Sequence, residues 1–167
     1  MTRTEPQYAA DERTMLVSFL DYFRETMCAL VEDLSPEQLR WIPCDGANSI
    51  GGLIRHLVYV EEWWFHTSLL DRPREFPWND DDPNPDQDFV MPDDLSGEGL
   101  VASYRAQWAR SNEIIDGMSL DTVALHERSA KRGVTLRWIL VHMIEETARH
   151  AGHADITRQL IDGRTGF

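Results

Sequence analysis

Between residues 12 and 34 the apolar positions Leu16, Leu20, Phe23, Met27, Leu30, Val31 and Leu34 recur mostly at steps of three and four. That is the period of one helical face, so a first helix is expected over 12–34. Ser35-Pro36-Glu37-Gln38-Leu39 follows, with a capping hydroxyl, proline at the first helical position and an acid behind it. It predicts a short extra turn leading to Trp41 and Pro43. A second helix is expected over 49–70. Gly51 and Gly52 fall in its first turn, where they weaken helix propensity but let another backbone come close. A third fits 97–116, with Leu100, Tyr104, Trp108, Ile114 and Ile115 on its apolar side, Ser96 as cap and Glu98 in the first turn. The fourth and longest spans 136–161 and closes at Gly163.

Two stretches break the helical period. Residues 71–98 hold five of the eight prolines and ten acids, which reads as a long solvated connection. Its length suits a crossover that lets consecutive helices run in the same direction. It could also serve as a lid. Residues 121–134, with Val123, Leu125 and Lys131-Arg132-Gly133, suggest a short extended segment or hairpin. The sum is an all-α chain, a four-helix bundle with a long crossover between helices 2 and 3. At 167 residues it makes a single domain, 1–167, with its core over about 12–163.

Charge narrows the partners. The chain carries 29 acids against 16 bases, a formal net charge of −13. Nucleic-acid backbones and anionic membrane surfaces would be repelled, which leaves small molecules or other proteins. No run of apolar residues is long enough to span a membrane, and the polar start MTRTEPQYAADERT predicts no secretory leader. Two cysteines without a CxxC pattern fit a reducing cytoplasm. Cys28 falls in the apolar pattern of the first helix and belongs to the core, whereas Cys44 lies in a loop, where a thiol can be reactive.

The last helix carries the chemistry. With Glu146 at zero and about 100° per residue, His142, His150 and His153 fall within about 40° of it. Ile139, Met143, Leu160 and Ile161 occupy the same sector, and Arg137 and Asp155 mark the wet side. The His/Glu group is thus expected inside the apolar stripe. A buried carboxylate must be protonated, salt-bridged or metal-bound. Glu146 and His150, four apart, can meet on one ion. On the second helix His56 shares a stripe with Leu53, Val60, Trp63 and Leu70, while Arg55 and Glu62 point to the wet side. A lone histidine there is more often a core residue bonded to a carbonyl. Beside Glu146 and His150, however, it completes a set of two imidazoles and a carboxylate suited to Zn²⁺, and also to Ni²⁺ or Fe²⁺. Three protein ligands leave room for water or substrate, the arrangement of a catalytic metal.

Trp41, Pro43 and the run Ser49-Ile50-Gly51-Gly52-Leu53-Ile54-Arg55-His56-Leu57, followed by Glu146-Thr147-Ala148-Arg149-His150-Ala151-Gly152-His153, resemble the DinB-like (DinB/YfiT-like) metalloprotein superfamily over about residues 12–163. The resemblance implies an up-down-down-up bundle, a homodimer and a divalent metal held by His56, Glu146 and His150. Glu146, where many relatives have a third histidine, resembles the metal-binding domain of mycothiol-dependent maleylpyruvate isomerase. Many relatives read His-Arg-Gly-Gln where this chain has His150-Ala151-Gly152-His153. Relatives include transferases and isomerases that use mycothiol, bacillithiol or glutathione, so the resemblance implies a metal that activates a low-molecular-weight thiol, such as mycothiol. A metal-bound thiol is deprotonated and becomes a nucleophile near neutral pH.

Other residues are secondary candidates. With Glu146 kept as a ligand, the general base is water-linked or His153. His142 and Arg149 flank the group, the first as an orienting or core residue, the second as an anion contact or surface ion pair. Trp63 and Trp64 either wall a pocket or simply fill core. His66 and His126 belong to no constellation. Three readings stay open: a metal-dependent enzyme that transfers a thiol, isomerises or hydrolyses a small substrate; a non-catalytic protein whose metal site holds a small molecule; and a helical dimer with a buried His/Glu hydrogen-bond network.

Overall fold

The computed structural model describes residues 4–165. The two ends of the 1–167 span expected as a domain, including the first residues of the stretch read as leader-free, lie outside the described residues. The chain forms α1 (Glu12–Val31), α2 (Pro36–Arg40), α3 (Ile50–Glu61), α4 (Gly97–Ile115), α5 (Glu127–Ala130) and α6 (Leu136–Asp162). α3 runs on as a π-helical stretch, Glu62–Ser68, and a 3₁₀ turn covers Gln87–Phe89. The all-helical expectation holds; among the described residues the β structure is one isolated antiparallel bridge, Val123 to Thr135. That bridge is the extended segment expected over 121–134, with α5 inserted in place of a simple hairpin turn. No helix among the described residues is long and apolar enough to cross a membrane.

The ends of the helices follow local chemistry. Asp11, Ser35, Ser49, Ser96 and Thr135 each accept an amide N–H with the side chain, and Ser35 with Gln38 closes a reciprocal capping box. Gly163 ends α6 in the left-handed conformation, φ 78°. α1 stops at Val31, short of the 34 expected, because Glu32 turns extended and Asp33 adopts φ 66°.

α1 packs on α6 and α3 on α4, with α3 also meeting α1 and α6. One apolar cluster includes Met27, Leu30, Leu39, Ile54, Leu57, Leu100 and Ala151; a second includes Leu20, Phe65, Leu69, Leu136, Ile139 and Met143. Cys28 is in the core, as expected, and burial pushes its thiol up to about 12, which leaves it inert. Along α1 and α3 the two clusters meet at Arg24 and Glu61, both fully buried, joined by bonds of 2.7 and 2.8 Å. Asp21 and Asn112 accept from the remaining guanidinium nitrogen at 2.8 and 3.0 Å. A buried charge pair persists only when its remaining hydrogen-bonding groups are satisfied in this way.

The crossover departs from the expectation of a solvated loop. Its middle, 79–83, is exposed and turns by side-chain-to-backbone bonds, Asp81 N to Asn79 Oδ1 at 3.1 Å and Asn84 N to Asp82 Oδ1 at 2.8 Å. The rest wraps α3. Phe76 and Trp78 pack on Tyr59, with ring centroids 5.3 and 5.0 Å away. Met91 is buried against Gly51. Two residues placed on the wet side of α3 are covered as a result. Glu62 is 2% exposed and accepts from Glu75 N at 3.0 Å; Arg55 donates to Gln87 O and lies over the Phe76 ring.

A second correction concerns α6. Its buried residues, among them Leu136, Ile139, Met143, Thr147, Ala154 and Arg158, centre about 80° from Glu146 on the helical wheel. The His/Glu group therefore lies on the edge of the buried stripe, not inside it. Leu160, expected in that stripe, is 62% exposed. Near the end of the helix the contact with α1 is made by Arg158, which donates to Leu30 O and Glu32 O at 2.8 and 2.7 Å. It satisfies carbonyls that the end of α1 leaves open.

Candidate metal centre

The site begins with two glycines. A Cβ on Gly52 would stand 2.2 Å from Phe89 O, so only glycine admits the crossover backbone there. His56 lies one turn further along the same face of α3. The segment that abuts Gly52 consequently covers His56: the Phe89 ring stacks on the imidazole at 4.0 Å, and Asp88 Oδ2 lies 2.6 Å from Nδ1. Asp88 is itself 4% exposed. With Nδ1 held, Nε2 is directed across to α6, where it lies 3.2 Å from Glu146 Oε1. His150 Nε2 reaches the same oxygen, also at 3.2 Å.

The electrostatics follow from these contacts. Burial works against a charged His56, but its bonds to Asp88 and Glu146 prevail and raise its pKa above the ordinary value. When protonated, His56 donates Nδ1–H to Asp88 and Nε2–H to Glu146. Hydrogen bonds from His150 and His56 hold the Glu146 carboxyl well below the usual carboxylate range. His150 Nδ1 is buried without a hydrogen-bond partner among the described residues.

The donor set fits a divalent cation on two counts. His56, Glu146 and His150 each offer one ligand atom, and these atoms lie within 4.8 Å of one another. Ligands about 2.1 Å from a tetrahedral ion stand about 3.4 Å apart, close to the spacing seen at Glu146 Oε1. With both imidazoles neutral, Asp88 and Glu146 leave two negative charges in a half-buried cluster, which a divalent cation offsets.

The other candidates separate. His153 is exposed, with its ring 5.7 Å from that of His150, at the rim of the site. His142 stacks on Trp138 and meets Trp64 edge-on, and burial lowers its pKa, so it is a neutral aromatic-cluster member one turn from Glu146. Arg149 pairs chiefly with Glu145, with Nη1 3.8 Å from Glu146 Oε2. His66 is buried and takes a bond from Arg110. Cys44 is exposed. Trp63 and Trp64 do wall a cleft, together with Trp138, which lies about two turns of α6 from Glu146. Asp88 and Phe89 escaped the sequence reading because they sit among ten acids of a crossover. The available signal was the run Phe89-Val90-Met91, apolar residues within a polar connection, which marks a return to the core.

An all-helical chain whose second and last long helices join His, Glu and His defines a class of helical proteins with a candidate metal centre. The chain belongs to the mycothiol-S-transferase family, a DinB-like family, whose family model matches residues 15–163. A crystal structure of a conserved protein from Enterococcus faecalis superposes with a TM-score of 0.72, at 17% identity, over 93% of this chain and 100% of that one. At that identity the likeness shows the fold. No curated protein matches the chain.

Proposed function

We propose that this protein is a metal-dependent mycothiol S-transferase that joins the thiol to a small electrophile, with His56, Glu146 and His150 holding the metal. The observation that carries this reading is the convergence of His56 Nε2 and His150 Nε2 on one Glu146 oxygen, each at 3.2 Å, in a chain of this family. Zinc suits the donor set best, with nickel or iron as alternatives. When bound, the cation supplies positive charge that favours the thiolate over the thiol at neutral pH.

The residues divide the work. Asp88 fixes the tautomer and orientation of His56 by holding Nδ1–H, which leaves Nε2 as the ligand atom. Phe89 lies flat on the imidazole and excludes water from that side. Glu146 acts as ligand and so cannot also be the base; His153, at the rim beside His150, accepts the thiol proton and passes it to solvent. In this reading the four long helices form one up-down-down-up bundle domain, the crossover joins the second and third of them, and the protein works as a cytoplasmic homodimer.

The test is elemental analysis of untagged protein purified without chelators, followed by thiol-consumption assays with mycothiol and electrophiles. About one metal per chain together with thiol consumption supports the proposal. Metal without turnover leaves a binding protein. No metal, even after incubation with Zn²⁺, leaves a structural His/Glu network.

A further inference from the structure

The cleft about two helical turns from the candidate metal centre has its own chemistry. It encloses about 590 Å³, within the range of small-molecule sites, and lies between α3, the crossover and the α5–α6 turn. Trp63, Trp64, Trp78 and Trp138 supply aromatic walls, and Arg128 and Arg132 stand at one side. Arg74 completes the positive set, stacked over Trp78 at 5.0 Å. Among the described residues none of these three arginines makes an ion pair, and Arg74 Nε is buried without a partner. In a chain with 29 acids that is a departure to be explained. Most of the other arginines have found a carboxylate, whereas these three face a cleft.

The cleft also shares helix faces with the metal centre. On α6, Glu146, His142 and Trp138 follow at steps of four, and the His142 ring lies 5.0 Å from the rings of both Trp138 and Trp64. Trp138 is thus about 12 Å along the axis from Glu146. On α3, Tyr59 follows His56 by three residues, and Trp63 stands at the start of the π-helical continuation. A molecule seated among the tryptophans would need to extend about 10 Å along these faces to meet the three ligands.

Aromatic walls select a flat apolar body, by stacking and edge contacts. Guanidinium groups select a carboxylate, which they can bind with two parallel hydrogen bonds. We propose that the cleft binds an aromatic carboxylate, and that, resting on the function proposed above, the protein's electrophile is an aromatic carboxylate bearing an activated double bond or a leaving group. The sulfur–carbon bond then forms as the double-bond pair takes up a proton or as the leaving group departs. His142, four residues from both Trp138 and Glu146, stands between the two sites on α6, and the arginines hold the anionic end away from the acids of the metal centre.

Binding is measured by calorimetry on chelator-treated protein, with 2-naphthoate as probe and the isosteric neutral 2-naphthamide as control. Because no metal or turnover is needed, this result is independent of whether the protein proves to be a transferase. The expected outcome is naphthoate binding at least about tenfold tighter than naphthamide, with that preference lost in R128A/R132A and both ligands weakened in Trp138→Ala. Arg128, Arg132 and Trp138 are exposed, so these variants keep the fold, which circular dichroism verifies. Equal affinity for the two probes, or a preference unchanged in R128A/R132A, overturns the proposal. Naphthoate binding without thiol transfer keeps the cleft and sinks the transferase. Thiol transfer without naphthoate binding does the reverse.

Discussion

Asp82 and Asp88 lie six residues apart in one acidic connection, yet they share little beyond residue type. Asp82 is exposed, and among the described residues its carboxylate accepts from the backbone of Asn84 alone. Asp88 is buried, with its carboxylate 2.6 Å from an imidazole nitrogen of a candidate metal ligand. The chain between them returns to the body of the molecule because Gly51 and Gly52 leave a backbone-sized gap in α3 that Phe89 O and Met91 occupy. An acid gains a role there through what packs beside it. The acidic run as a whole has no function in common; one residue of it does.

The largest effect expected along this contrast comes from the group that Asp88 serves. His56→Ala removes one of the three proposed ligands and should abolish stoichiometric metal, measured by elemental analysis, while circular dichroism remains helical. Metal retained at one per chain in that variant would remove His56 from the site.

Asp88→Asn keeps the shape and removes the charge. An outer partner of a metal-binding histidine is typically worth about 10–100-fold in affinity, and that loss is expected in zinc titrations. The same variant tests the sign of a pH effect. His56 has a raised pKa, so in the metal-free protein the His56–Asp88–Glu146 contacts stabilise fully below about pH 6.5 and are lost as pH rises through the higher folded value. A cation competes for the nitrogen that this proton occupies, so zinc affinity should climb with pH in the window above about 6.5. Asp88→Asn should move that window down. An unchanged window would mean that Asp88 does not hold the His56 proton.

Gly52→Ala attacks the contrast from the backbone side. The added methyl meets Phe89 O, and overpacking of this kind costs roughly 1–3 kcal/mol. Thermal denaturation should show the loss, and zinc affinity should fall with it because Asp88 moves. Full stability and full affinity together would show that the crossover adjusts freely. The smallest effect belongs to Asp81→Asn in the exposed part of the same segment: a change within about 0.5 kcal/mol and no shift in zinc affinity. If it behaves like Asp88→Asn, the division of the crossover into two halves is wrong.

Much of the molecule was legible in the residues. The four long helices, the caps at Ser35 and Ser96, the start near Ser49 and the stop at Gly163 depend on neighbours within a turn, and they appear where those neighbours place them, whereas α1 stops three residues early. The clustering of Glu146 with His150 is equally local. Gly51-Gly52 announced a close approach without saying of what. The wheel put Glu146 in the middle of the buried stripe of α6, whereas the helix is rotated by about 80° and leaves the site on the edge. Apolar residues alone had drawn that stripe, and buried Thr147, Thr157 and Arg158 had been left out of it.

The sequence by itself determined an all-helical chain, most of its helix starts and the pairing of residues four apart, since backbone hydrogen bonds and capping act over a few residues. The tertiary structure alone decided that Asp88, among ten acids, meets His56 across 32 positions, and that His56 meets Glu146 across 90. It also gathered four tryptophans and three arginines, without an ion pair among the described residues, around one cleft. Contacts at such separations depend on how faces are rotated and which backbones can touch. That is fixed by packing of the whole core, and no window of sequence contains it.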